Sequence, residues 1–102
     1  SGVVYLWNVS TGKLAATLQT PAGGSYSDVA FSPSGKVVAV AVADTNGSAI
    51  MWKVASGKLI ASLPDPSGNN LIGIAFSPDG STVAVSDIKG NTYLWNAKFL
   101  SS

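Results

Sequence analysis

The chain contains no cysteine and no histidine among its 102 residues. Without cysteine it has no disulfide framework and no thiolate chemistry, and its redox compartment cannot be inferred. Without histidine it lacks the commonest general base and metal ligand of proteins. We therefore expect no catalytic residues, no cofactor and no metal site in this chain, and we expect that it is not an enzyme.

Charged residues are also scarce. They make up 11% of the chain, whereas hydrophobic residues make up 46%; a typical globular domain has about 25% charged residues. Little of the chain is therefore expected to face water. The net charge of +1 gives no reason to expect binding to nucleic acid or to an anionic membrane.

Long apolar runs are absent as well. The longest run, residues 37–43, is far shorter than the ~20 residues that span a bilayer. No signal peptide and no initiating methionine are visible. The compartment therefore stays unassigned, with a slight preference for the cytoplasm, and the chain is expected to be cut from something longer.

What the chain does contain is an internal repeat. Two phrases and one residue type recur in phase: FSPSG at 31–35 and FSPDG at 76–80, TGKL at 11–14 and SGKL at 56–59, and the tryptophans Trp7, Trp52 and Trp95. Both phrases return after 45 residues. A period of ~40–45 residues with four short strands per repeat is typical of a propeller blade.

Apolar and β-branched segments separated by glycine and proline turns predict nine strands. They are expected at 3–8, 13–19, 27–32, 36–43, 48–54, 58–63, 71–77, 82–86 and 92–97. Phe31 and Asp44 are separated by two more residues than Phe76 and Asp87, which we interpret as a longer strand at 36–43. The predicted fold class is all-β, with about two four-stranded antiparallel propeller blades in an incomplete ring.

The phrases FSPSG and FSPDG, the motifs YLWN and IMWK, and the turns TGKL and SGKL resemble the WD-repeat propeller family over nearly the whole chain. The four strands of a blade are lettered a to d, with d the outer strand. The resemblance implies the order c-d-a-b-c-d-a-b-c along the chain. It implies strands c and d at 1–19, a complete blade at 27–63 and strands a, b and c of the last blade at 71–97. The chain is then the C-terminal fragment of a propeller.

The sequence departs from the family pattern at two points. The Gly-His pair is missing, and Asn8, Lys53 and Asn96 replace the Asp that follows the Trp. The Asp–His–Ser–Trp hydrogen-bond network of the family is therefore not expected. These departures resemble divergent bacterial repeats, which are often attached to kinase or other signalling modules.

The resemblance implies a non-catalytic scaffold for protein–protein interaction. In this fold the d–a and b–c loops gather on one face, so the candidate contact residues are Ser25, Tyr26, Asp44, Asn46, Asp65, Asn69, Asn70 and Lys89. The expected partners are other proteins, further copies of the chain or the remaining blades of a larger propeller. The alternatives are a propeller enzyme or small-molecule binder with its site in other blades, and an inert engineered or excised fragment that self-assembles.

Packing and turn chemistry account for the other notable residues. The inter-blade core is predicted to contain Trp7, Trp52, Trp95, Phe31 and Phe76. Asp44 and Asp87 are predicted to bond backbone N–H groups of their turns. The loop at 65–70 has one carboxylate, too few for a usual calcium site. In an incomplete ring, exposed apolar faces are expected at both ends, lined by Tyr5, Trp7, Tyr93 and Trp95.

Overall fold

The computed structural model describes residues 3–19, 25–43 and 47–97. These ranges contain nine strands and no helix that could cross a membrane. The strands are β1 Val3–Asn8, β2 Lys13–Gln19, β3 Tyr26–Phe31, β4 Val37–Val42, β5 Ser48–Lys53, β6 Leu59–Pro64, β7 Leu71–Phe76, β8 Thr82–Asp87 and β9 Thr92–Asn96. The predicted all-β class and the strand order are confirmed.

The strands form three antiparallel sheets that follow the chain. The first sheet is β1-β2, the second is β3-β4-β5-β6 and the third is β7-β8-β9. Only the second sheet has all four strands of a blade within the described residues. The first sheet contains the two outer strands of a blade, c and d, and the third sheet contains the three inner strands, a, b and c.

Strand β4 is buried along its whole length because it lies between two other sheets. Val38 and Val40 belong to the core shared with the first sheet. Ala39 and Ala41, on the opposite face, belong to the core shared with the third sheet. Successive side chains of a strand point to opposite faces, so a strand covered on both sides has a continuous apolar sequence.

Each core combines side chains from two neighbouring sheets. Trp52 packs with Leu6 and Leu18 of the first sheet. Met51, the preceding residue, points the other way and packs with Leu71 and Val83 of the third sheet. Hydrophobic burial between the sheets therefore holds the molecule together, since the sheets share no ladder of backbone hydrogen bonds.

The two copies of the FSPSG and FSPDG turn have the same geometry. Gly35 N donates to Ser32 O, and Gly80 N donates to Ser77 O, both at 2.9 Å. Both glycines have a φ of 75°, in the left-handed region that other residues rarely adopt. The repeated glycine is therefore required by the backbone of this turn.

The prediction of a longer strand at 36–43 is wrong. Strands β4 and β8 both have six residues. In the ladder, Val42 pairs with Tyr26 as Asp87 pairs with Leu71. The two additional residues therefore lie in the connection after β4, part of which falls outside the described residues.

Two of the five predicted core residues do not have the predicted burial. Trp7 is 61% exposed. Trp52 and Trp95 both pack towards the sheet that precedes their own, and no described sheet precedes Trp7. Phe31 is 55% exposed because it faces the first sheet, which has no described inner strands to cover it; Phe76 faces the complete second sheet and packs against it.

The prediction of exposed apolar faces at both ends is also only partly correct. Tyr5 and Trp7 are exposed on the first sheet. Tyr93 and Trp95, in contrast, pack against the core between the second and third sheets. The exposed apolar residue of β9 is Leu94, at 71%, because its side chain points away from the second sheet.

Candidate interaction rim

Several connections between strands meet at one end of the second and third sheets. Backbone hydrogen bonds join Ala43 N to Ser25 O at 2.8 Å and Asp65 N to Gly47 O at 2.9 Å. Ile88 N donates to Asn70 O at 3.0 Å. We call this surface the rim and define it as residues 25, 26, 43, 47, 65–70 and 88–91. It contains the described members of the predicted contact set.

Asp87 organises the turn between β8 and β9. It is 1% exposed, and its Oδ1 accepts hydrogen bonds from the backbone N–H groups of Lys89 and Asn91, both at 3.0 Å. Its Oδ2 accepts from the side-chain amides of Asn91 at 3.1 Å and Asn69 at 3.4 Å. The prediction that Asp87 bonds backbone N–H groups of its turn is confirmed.

Burial and hydrogen bonding shift the pKa of the Asp87 carboxyl in opposite directions. Burial raises the pKa of Asp87, but the hydrogen bonds from Asn91 and Asn69 help to lower it by a larger amount. The net effect lowers the pKa of Asp87 to about 2. Asp87 is therefore ionised at neutral pH, as a carboxylate that accepts several hydrogen bonds should be.

Asp65, another residue of the predicted contact set, is buried in the turn that follows β6. It is 5% exposed, and its Oδ1 accepts a 2.6 Å hydrogen bond from Ser67 N. The buried Oδ2 has no hydrogen-bond partner. Asp65 thus fixes the 65–68 turn and leaves one unpaired buried oxygen.

The other predicted contact residues differ in exposure. Ser25 and Lys89 are exposed, whereas Tyr26, Asn69 and Asn70 are partly buried. Tyr26 packs against the core between the first and second sheets. Asp44 and Asn46 lie outside the described residues.

The predicted contact set does not include Ile88, a large apolar residue that is exposed on the rim. Ile88 is 61% exposed and lies between the buried Asp87 and the exposed Lys89. The sequence indicated this exposed residue only by a large apolar side chain inside a short turn, where residues are usually polar. On the neighbouring connection, the Ser67 and Tyr93 hydroxyls are hydrogen-bonded to each other.

The indole nitrogen of Trp95 would belong to the family's hydrogen-bond network, which is not expected in this chain. Trp95 Nε1 is buried and has no hydrogen-bond partner in the described part of the chain. A buried donor is normally paired. Its unpaired state agrees with the absence of the histidine on which that network depends.

A cleft of about 500 Å³ lies at the opposite end of the second and third sheets. It is lined by residues 32–37, residues 53–55 and Phe76, Asp79 and Gly80. The repeats in the sequence predict these turns but not the cleft that two of them enclose. Asp79 there accepts hydrogen bonds from Ser81 N at 3.0 Å, Ser77 Oγ at 2.7 Å and Ser81 Oγ at 2.8 Å.

The Asp79 turn gives a pH prediction. Hydrogen bonds from Ser81 and Ser77 lower the pKa of Asp79 from 3.8 to about 2. A carboxyl whose pKa is lower in the folded state stabilises that state above the unfolded pKa, and the stabilisation is lost as pH falls through the folded pKa. We expect Asp79→Ser, which copies Ser34 of the equivalent turn, to reduce the fall in melting temperature between pH 4 and pH 2. Thermal unfolding at several pH values checks this, and superimposable profiles for the two proteins would contradict it.

Three stacked antiparallel sheets built from a 45-residue repeat define a repeat protein made of propeller-type blades. The family model described as WD domain, G-beta repeat, matches residues 12–53 and 57–96. These matches cover more than half of the chain, which therefore belongs to the WD-repeat family. No curated protein matches the chain.

The two matched stretches are offset from the sheets by one strand. The first runs from β2 to β5 and the second from β6 to β9. Each stretch therefore supplies the outer strand of one sheet and the three inner strands of the next. Repeats of this family generally mediate protein–protein interaction and scaffolding.

Proposed function

We propose that this chain is a non-catalytic protein-interaction scaffold, part of a WD-repeat propeller, and that its rim contacts the partner. The observation that carries the proposal is the exposed Ile88 beside the exposed Lys89 on a turn held by Asp87. Family membership supports the scaffold role. The absence of histidine and cysteine from the sequence supports the non-catalytic role.

The turn at 88–91 has properties that favour binding. The backbone N–H groups of Lys89 and Asn91 are held by one buried carboxylate, so the turn loses little conformational freedom when a partner docks. An apolar side chain next to a cationic one suits a protein surface that has an apolar pocket with an acidic border. We therefore place the contact at Ile88 and Lys89.

Paired substitutions at the two ends of the sheets test this proposal. The protein is cross-linked in its native cell, the partner is identified by mass spectrometry, and its affinity is measured with purified proteins. Ile88→Asp with Lys89→Glu should weaken binding at least tenfold. Lys36→Glu with Lys53→Glu, at the cleft, should leave the affinity within twofold. Equal effects of the two pairs would reject the rim as the contact surface.

We also propose that the whole protein carries a bacterial signalling module. The support is the resemblance to divergent bacterial repeats in the substitutions Asn8, Lys53 and Asn96 after the three tryptophans. The coding sequence around this segment provides the test. A kinase or other signalling domain in the same reading frame is expected, and a neighbouring catalytic domain unrelated to signalling would contradict the proposal.

We propose further that the chain binds copies of itself. Among the described strands, the first sheet has outer strands without inner ones, and the third has inner strands without an outer one. Strands β1 and β9 share the sequence YLWN, at 5–8 and 93–96. We propose that β9 of one copy takes the place of β1 beside β2 of another copy, giving a complete four-stranded sheet from two chains.

This exchange would cover exposed apolar side chains of the second and third sheets. Leu94 would take the position of Leu6, which is buried in the present structure. Val29 and Phe31, both more than half exposed, would be covered by the inner strands of the new sheet as Phe76 is covered now. A soluble monomer rarely leaves a large contiguous apolar patch in water. The resulting burial supports self-association.

The number of copies follows from the number of sheets. With β1 displaced, each copy contributes eight strands, or two sheets of four. Propeller rings contain ~4–8 such sheets, so we expect an assembly of ~2–4 copies. Light scattering should therefore give about two to four times the mass of 10.3 kDa. A folded monomer at micromolar concentration would contradict the proposal. Further blades of a longer chain would then be expected to complete the first and third sheets.

A further inference from the structure

We infer that a polar clip formed by Ser27 and Asp28 pairs the second sheet with the third, and that the open face of the third sheet takes the second sheet of another copy through apolar contacts, without such a clip. The second part rests on the proposed self-association. In the clip, Ser27 Oγ donates to Leu71 O at 2.7 Å, and Ile74 N donates to Asp28 Oδ2 at 3.0 Å. Both bonds join a side chain of β3 to the backbone of β7.

The Ile74 N–H depends on the second sheet for its partner. Among the described strands, β7 pairs only with β8 in its sheet, and every second N–H of such a strand points away from the strand it pairs with. The bond to Asp28 identifies the Ile74 N–H as one of these. Ile74 is buried, and a buried backbone N–H without a partner is costly. Asp28 therefore supplies the acceptor that β8 does not provide.

The inner strand of the second sheet caps its own edge. Val29 is the equivalent of Ile74, 45 residues earlier in the repeat. Its N–H donates to Asp28 Oδ1 at 2.9 Å, so one carboxylate serves the inner edges of both strands. β7 cannot cap itself in this way, because Gly73 occupies the position of Asp28. The β7 edge is therefore complete only beside the second sheet, whereas the β3 edge needs no preceding sheet.

The strands next to β3 and β7 differ in a matching way. In the ladders, Asp28 pairs with Ala41, and Gly73 pairs with Ser86. A Cβ atom added at Gly73 would lie 2.8 Å from Ser86 Oγ, whereas Ala41 has no such hydroxyl. The aspartate is thus matched with alanine and the glycine with serine. This makes the second and third sheets two different kinds of sheet, of which only the second carries the clip.

The open face of the third sheet is apolar where the second sheet has its clip. Ile72 and Gly73 stand at the positions of Ser27 and Asp28, and neither side chain can form a hydrogen bond. Ile72 is 53% exposed, because it lies on the face that the second sheet turns towards its following neighbour. Leu94, on the same face, is 71% exposed. A neighbour on this face is therefore held by apolar contacts.

The opposite face of the second sheet fits this surface. Val29 and Phe31 are both more than half exposed, on the side that would meet the inner strands of a preceding sheet. The Val29 N–H is already bonded, so it needs no acceptor from a neighbour. Two apolar faces without unpaired polar groups can bury each other at no cost in hydrogen bonds. The occupant is therefore the second sheet of another copy, and copies separate at this joint before the paired sheets of one copy separate.

Amide hydrogen exchange followed by NMR tests the clip whether or not copies associate. Asp28→Ala should speed exchange of the Ile74 amide by about tenfold or more, the scale of a hydrogen bond to a charged group. Ile72→Asp, on the open face, is the matched control and should leave the Ile74 rate within about twofold. An unchanged Ile74 rate in Asp28→Ala overturns the clip. If that variant does not fold, Asp28→Asn keeps one acceptor oxygen and should speed exchange at Val29 or Ile74, and unchanged rates at both overturn the clip equally.

Light scattering over a dilution series of the same variants tests the joint between copies. Ile72→Asp should weaken self-association by about tenfold or more, because it places a charge in an apolar joint. Asp28→Ala should leave self-association within about twofold. Equal effects would overturn the assignment of these two residues to different joints. A wild-type chain that is monomeric throughout would reject self-association and the docking face with it, whereas the exchange rate at Ile74 still decides whether the clip pairs the two sheets.

Discussion

Replacing Trp52 by alanine is expected to lower the free energy of unfolding by about 3–5 kcal/mol, the usual cost of truncating a large aromatic in a core. Trp52 is 3% exposed and packs with Leu6 and Leu18 between the first and second sheets. Urea unfolding followed by circular dichroism measures the loss.

Trp7→Ala is the matched control, because it removes the same side chain from the equivalent place in another sheet. Trp7 is mostly exposed, and surface substitutions usually change stability by less than about 0.5 kcal/mol. We expect the loss at Trp52 to be several times the loss at Trp7. Equal losses would mean that the two tryptophans have equivalent surroundings, contrary to the packing described above.

The second large effect is expected at Gly47. A Cβ atom added there would lie 2.2 Å from Asn69 O and 2.7 Å from Leu71 N. Both neighbours are backbone atoms, and Leu71 is fully buried at the start of β7. The connection at 69–71 must therefore move as a unit to make room. Overpacking of this kind typically costs ~1–3 kcal/mol.

Gly47→Ala should accordingly lower the melting temperature by about 4–8 °C for each kcal/mol by which the free energy of unfolding falls, the usual ratio for a domain of this size. Ser48→Ala is the control, since it changes the next residue without adding an atom at the contact. If Gly47→Ala melts within ~1 °C of wild type, the close approach between the second sheet and the 69–71 connection is not as described.

The fold was predictable from the sequence because the repeat and the strand pattern agree. The apolar run at 37–42 lies within the strand predicted at 36–43, and β4 occupies that run. The phrases FSPSG and FSPDG predict equivalent turns, and Gly35 and Gly80 have equivalent backbones. Strand boundaries differ from the predictions by one residue at most, since turn residues with fixed backbone preferences mark them.

The burial of individual residues was less predictable, because it depends on the neighbouring sheet as well as on residue type. Trp7 and Trp52 occupy equivalent positions in the repeat and differ widely in exposure. The hydrogen bond from the Asn69 amide to Asp87 could not be predicted either. These residues are 18 positions apart, and their hydrogen bond depends on how the connection after β6 lies against the turn after β8.

The most direct test of the account asks whether β9 of one copy pairs with β2 of another. In the first sheet Leu6 pairs with Ala16, and Leu94 occupies the position of Leu6 in the YLWN motif. The chain has no cysteine, so a chain with Leu94→Cys and a chain with Ala16→Cys can be mixed, refolded together and oxidised. The double variant Leu6→Cys with Ala16→Cys in one chain is the control for the geometry of this pair.

We predict a disulfide-linked heterodimer from the mixed chains, in a higher yield than the intramolecular disulfide of the control, because β1 is displaced from β2 in the assembled protein. Oxidation of either single variant alone should give less dimer than the mixture. If the control forms its disulfide and the mixed chains form none beyond that background, β9 does not occupy the place beside β2, and the proposal that the two open sheets complete each other is wrong.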